Sequence, residues 1–249
     1  MIVLRSILFH AAFWLWGAFM NILWLPSLAL PWRATVKGQR LWAGGVCWMM
    51  PRLAGVRIEI RGRHRVPASP VLIAAKHQSL WDTLAWHVIA DDPAIVMKRE
   101  LLAIPIYGWY CRKTRMIPVD RDAGPRALKG LVRAALAAKA ASRPIIIFPQ
   151  GTRVAPGAAA PYLPGVAALY RQLELPCVPV ALNSGLFWGR GAFLIRPGTL
   201  VLEFLDPIPP GLKRAEFMRE LENRIESAST QLADEARAAT DTDAATKAA

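Results

Sequence analysis

Residues 71–82 read VLIAAKHQSLWD. Five apolar residues in a row, 71–75, fit a short central strand covered on both faces, because an exposed face would show polar alternation. Ser79 is a plausible N-cap, and 79–90 reads as a helix stopped by Asp91-Asp92-Pro93. His77 would then sit at the C-terminal end of a strand, where α/β sheets carry their sites.

The flanking sequence keeps this rhythm. Residues 56–60 alternate like a half-exposed strand, and 94–97 form another short strand. Residues 100–110 have helical character weakened by Pro105 and Gly108, and 115–119 suits an edge strand because Pro118 lacks a ladder donor. An alanine-rich helix is expected over 123–141. A buried strand over 145–148 ends at Pro149-Gln150-Gly151. A helix around Pro164–Leu173 follows, then strands at Cys177–Leu182 and 200–205, and a charged helix over 212–235. The Ala/Thr/Asp-rich end reads as frayed. Strands alternating with helices predict an α/β fold with a mostly parallel or mixed central sheet flanked by helices. Three parts are expected: an apolar helical segment at 1–52, an α/β domain at 53–211, and a C-terminal helix with an unstructured tail at 212–249.

Charge and apolarity add a partner class. The 249 residues carry 31 Lys+Arg against 18 Asp+Glu. Residues 1–210 hold 25 basic and 10 acidic side chains, while 211–249 hold 6 and 8. A basic excess over the folded part points to an anionic partner. No Asp, Glu, Lys or Arg occurs from Ser6 through Trp32, and six of the ten tryptophans (Trp14, Trp16, Trp24, Trp32, Trp42, Trp48) lie in the first 48 residues. Indole rings favour the membrane–water boundary, so the N-terminus reads as membrane-embedded. One spanning helix, or a bent pair of helices in one leaflet, would satisfy it; a buried hairpin inside a soluble core is the alternative. Nucleic acid is disfavoured, since residues 56–210 show no dense basic run interleaved with aromatics. Three scattered cysteines and four histidines give no metal-ligand spacing and no disulfide framework.

Four clusters carry the candidate chemistry. His77 and Asp82 would lie about 140° apart on one ideal helix, so they pair best with His77 in the loop and Asp82 in the first helical turn. The carboxylate would then fix the imidazole tautomer and leave the other ring nitrogen to take a proton. Ser79-x-x-Asp82 is equally a capping box, with His77 an ordinary loop residue. Lys98-Arg99-Glu100, Arg115 and Arg121 flank the next apolar runs, as anion ligands or as solvated charges. Phe148-Pro149-Gln150-Gly151-Thr152-Arg153 puts a glycine turn, a hydroxyl and a guanidinium after a buried strand, suited to phosphate or to an ordinary turn. Asn183 and Ser184 follow another apolar strand and line the same mouth of the sheet. Neither Ser79 nor Ser184 sits in a G-x-S-x-G elbow, which weakens a serine-hydrolase reading.

Taken together, these residues resemble the 1-acylglycerol-3-phosphate acyltransferases of bacterial phospholipid synthesis, within the wider glycerolipid acyltransferase family. The H-x-x-x-x-D block matches His77 to Asp82, and the second block is similar to 97–121. The F-P-E-G-T-R block matches 148–153, with Gln150 where the family usually has Glu, and the proline-centred fourth block resembles 178–184. The resemblance implies that His77 and Asp82 are catalytic and that Lys98 and Arg153 hold the acceptor's phosphate. Gly151, Thr152 and Arg115 join the substrate-binding set. It implies acyl-CoA or acyl carrier protein as donor, lysophosphatidic acid as acceptor, and no metal or other cofactor. Another lyso-lipid, glycerol-3-phosphate or a lyso-aminolipid is an alternative acceptor, and a non-enzymatic binder of anionic lipid is the alternative class. Anionic membrane lipids are the expected surroundings, at the cytoplasmic membrane with the site on the cytoplasmic side.

Overall fold

The structure is a computed structural model that describes residues 1–68, 70–120 and 124–248. Seven strands form one mixed sheet in the order β1-β7-β6-β2-β5-β3-β4. They are β1 (Val56–Arg61), β2 (Leu72–Ala75), β3 (Ala94–Lys98), β4 (Ile117–Val119), β5 (Ile145–Ile147), β6 (Cys177–Leu182) and β7 (Gly198–Phe204). All neighbours pair in parallel except β6 and β7, which run antiparallel. The β1–β7 pair therefore runs against the other five strands. The strands that read as unbroken apolar runs, β2, β5 and β6, are buried at every position. Pro118 sits on β4 at the sheet's edge, where its missing donor costs nothing.

Two helical layers cover the sheet, and strand alternation sorts the side chains between them. Ile73, Ala75, Ile95, Ile146, Val178 and Val180 pack toward α1 (Ile2–Leu23), α2 (Trp32–Met49), α3 (Trp81–Ile89) and α4 (Tyr107–Lys113). Leu72, Ala74, Ile145, Ile147 and Cys177 pack toward α5 (Pro125–Ala140), α6 (Pro164–Leu173) and α7 (Arg214–Ala248). The stretch weakened by Pro105 breaks there: a 3-10 turn at Arg99–Ala103 precedes α4, with Ile106 at φ 63°. Residues 121–123, including Arg121 and the expected start of the alanine-rich helix, lie outside the described residues. Helix α7 continues to Ala248, past the end expected near residue 235.

The N-terminal segment is a helical hairpin docked on the first layer. Helix α1 is long and apolar enough to cross a membrane by length and composition, and only 17% of its apolar window is buried. Its buried side, Phe9 and Phe13, meets Trp188 edge-on. Ser6 Oγ accepts the Ile195 N–H at 2.9 Å, and Tyr110 Oη donates to Asn21 O at 2.7 Å at the other end. The tryptophan cluster divides in two. Trp16 Nε1 donates to Trp42 O at 2.9 Å and Trp24 Nε1 to Ala34 O at 2.8 Å, closing α1 onto α2. A Cβ at Gly38 would fall within the Trp24 ring, and one at Gly45 within the Trp16 ring, so only glycine admits these contacts. Trp32 lies under the Arg115 guanidinium, 4.0 Å away. Trp14 and Trp48, 70% and 57% exposed, are the ones left to meet an apolar environment.

Candidate active site

Because β2, β3, β4, β5 and β6 are co-directional, their C-terminal ends share one edge, and His77 follows β2 there. His77 Nδ1 lies 3.0 Å from Asp82 Oδ2. Asp82 is fully buried at the start of α3 and accepts three further bonds: from Gln78 N–H (2.6 Å) and Ser79 N–H (2.7 Å) on Oδ2, and from Ser184 Oγ (2.5 Å) on Oδ1. Ser79 Oγ in turn accepts the Trp81 N–H at 3.2 Å. Of the expected capping box only the Asp82 half forms: Leu80, not Ser79, precedes α3 and gives it no side-chain cap, and Asp82 closes back on the Ser79 N–H while it orients the imidazole. The loop amides of Gln78 and Ser79, with Ser184, fix the carboxylate, and the fixed carboxylate aims the imidazole. Four donors on one buried carboxylate are what keeping its charge away from water demands.

The other blocks close around this pair. Phe148 stacks on the His77 ring with centroids 4.2 Å apart. The chain then turns at Gly151, whose N–H donates to Phe148 O at 2.8 Å and whose φ of 65° suits glycine. Two residues beyond Thr152, the Val154 N–H donates to His77 O at 2.8 Å, stitching the 148–153 turn to the histidine loop. Gln78 Oε1 accepts the Gly185 N–H at 3.0 Å and ties the first block to the fourth. Ser184, buried and donating to Asp82, is a support rather than an exposed nucleophile.

Cations surround the opening unevenly. Lys98 ends β3 on this edge, paired in register with Val119, and is exposed. Arg153 is half-buried in the turn, and neither has a carboxylate partner among the described residues. Arg190, which the sequence reading passed over, reaches Thr152 Oγ1 at 3.5 Å. Its one signal is a lone arginine between glycines just past the fourth block. Arg115, expected among the substrate-binding residues, is not brought here. It precedes β4 and so lies at the opposite edge, its guanidinium on Trp32 and its carbonyl accepting from Arg143 at 3.2 Å.

Comparison with known proteins now bears on this arrangement. The profile of the family described as Acyltransferase matches residues 57–183, from β1 through the fourth block. A 1-acyl-sn-glycerol-3-phosphate acyltransferase of Pseudomonas aeruginosa is 31% identical over 202 residues, covering 79% of this chain and 77% of that protein. The chain belongs to the glycerolipid acyltransferase family. A 1-acyl-sn-glycerol-3-phosphate acyltransferase of Limnanthes alba is similar to this acyltransferase at 28% identity over 196 residues, 78% of this chain and 67% of that protein. The crystal structure of the 1-acyl-sn-glycerophosphate acyltransferase PlsC from Thermotoga maritima superposes with a TM-score of 0.76 at 20% identity. It covers 93% of this acyltransferase and 98% of that chain, and shows the shared fold.

Proposed function

We propose that this acyltransferase moves a fatty acyl group from an acyl thioester, acyl-CoA or acyl carrier protein, to the sn-2 hydroxyl of 1-acyl-sn-glycerol-3-phosphate. The observation that carries the reading is the His77–Asp82 contact with the 148–153 turn stitched beside it. Asp82 occupies Nδ1, and His77 Nε2 has no partner among the described residues. Nε2 takes the hydroxyl proton as that oxygen attacks the thioester carbonyl. The tetrahedral intermediate collapses by expelling the thiolate, which recovers the proton from the imidazolium, so ester and free thiol leave together. Asp82 stabilises the transient imidazolium. No acyl-enzyme is needed, in keeping with the buried position of Ser184.

Arg153 and Arg190 flank Thr152 and suit the acceptor's phosphate, with Lys98 on the same edge. The hairpin supports a site at a bilayer surface, where acceptor and product reside. The test is initial-rate assay of the purified protein with an acyl thioester and matched acceptors: 1-acyl-glycerol-3-phosphate, its phosphate-free 1-acyl-glycerol, glycerol-3-phosphate and a lyso-aminolipid. The phosphorylated lyso-lipid should be used best. Equal or better use of the phosphate-free acceptor overturns the substrate assignment.

A further inference from the structure

On the opposite face of the sheet from His77, a second polar cluster has no part in the chemistry above. Side chains alternate along β2 and its extension. Lys76 therefore points toward α7 while His77 points toward α3. The Lys76 ammonium, 2% exposed, lies 2.7 Å from both carboxylate oxygens of Glu226 on α7. Tyr162 Oη donates to Glu226 Oε1 at 2.9 Å, and Gln150 Nε2 approaches the same oxygen at 3.5 Å. A cavity of about 470 Å³ between residues 156–161 and α7 opens onto this pair. Gln150 Oε1 is buried without a partner among the described residues.

From this cluster we infer that Glu226 is a positioning residue for the site, supplying from α7 the negative charge that the third block lacks at residue 150. The inference rests on the acyl-transfer reading given above. Lys76 is the immediate neighbour of His77, and Gln150 the immediate neighbour of Gly151, so one carboxylate anchors the roots of both catalytic segments from behind. A buried ammonium without a carboxylate would be heavily penalised. With Glu226 present, a glutamate at 150 would crowd two carboxylates around one ammonium; an amide at 150 instead donates to Glu226. The Gln150 departure and the Glu226 carboxylate thus form a single charge arrangement, written at two places 76 residues apart in the chain.

The test transposes the charge. Wild type, E226Q, Q150E and the double variant E226Q/Q150E are compared by acyl-transfer kinetics and by hydrogen exchange at the Val154 amide, which bonds His77 O. The expected outcome for E226Q is a loss of kcat of about tenfold or more, little change in donor KM, and faster exchange at Val154. Q150E alone should also be slowed, while the double variant should recover most of both readouts. A helix residue with a packing role only would show no such recovery. Wild-type kcat and exchange in E226Q, or a double variant no better than E226Q, overturns the inference. A wild type that acylates no lyso-lipid defeats the functional reading instead, and exchange at Val154 still decides the role of Glu226. If E226Q does not fold, K76M/E226M removes both charges together: slowed turnover in that folded pair supports the inference, and an unchanged rate overturns it.

Discussion

At the scale of single residues, the site depends on one buried carboxylate with four donors. His77→Ala removes the proposed base, and acyl transfer should fall by about 10³-fold or more with the fold and thermal midpoint near wild type. Turnover comparable to wild type would remove His77 from the mechanism. Ser184→Ala deletes one donor to Asp82 and should cost about 1–3 kcal/mol of stability, read by denaturant melting, with kcat reduced much less than in His77→Ala. The His77–Asp82 pair is legible in the sequence because five-residue spacing after an apolar strand admits few geometries. Arg115, by contrast, is not brought to this site. A residue before a parallel strand enters at the edge opposite the site, a rule that motif matching ignores. Glu226 could not be found this way, since a glutamate on a charged helix looks like any solvated one until the fold sets it against the buried Lys76.

At the scale of elements, the hairpin illustrates how one composition can serve two ends. Six tryptophans near an apolar N-terminus suggested a membrane boundary, yet Trp16 and Trp24 spend their indole N–H groups on α2 carbonyls. Gly45→Val should push the Trp16 ring off α2, destabilising the protein by about 1–3 kcal/mol; an unchanged melting curve would refute the packing argument. His87 supplies a pH dependence at the same seam. It lies on α3 beside Asn21, Gln39, Trp42 and Tyr107, and burial pushes its pKa down to about 4. The unfolded chain binds this proton near pH 6.5 and the folded protein does not until about pH 4. The stability contributed by neutral His87 is therefore complete above pH 6.5 and drains away as pH falls toward 4. In His87→Gln, melting temperature should fall less over that window; parallel curves for the two proteins would show that His87 is not responsible.

At the scale of the whole molecule, α1 leaves Ile7, Trp14, Leu15, Phe19 and Ile22 exposed, and Trp48, Trp109 and Phe193 are exposed on other elements. Arranged on a chain of net charge +13, these suit seating on an anionic bilayer. Binding to vesicles containing anionic lipid should weaken with added salt but persist on neutral vesicles through the apolar side chains. A cysteine placed at Ile2 should react with a membrane-impermeant thiol reagent from the outside of vesicles to which protein was added. Protection of that cysteine until the vesicles are lysed would favour a spanning α1 over one lying in a single leaflet. The α/β class was readable because β2, β5 and β6 are apolar throughout. The reversal of β7 and β1 was not, because strand direction depends on how a connection crosses the sheet and leaves no trace in hydropathy.

The hairpin cannot be treated as a detachable handle. Phe9, Phe13, Val46, Met49 and Met50 belong to the same buried cluster as Ile73 and Val180, and Ser6 secures the 184–197 connection whose first residue braces Asp82. Trimming the chain before Val56 to obtain a more soluble protein would open the hydrophobic interior and slacken the Asp82 carboxylate in the same stroke.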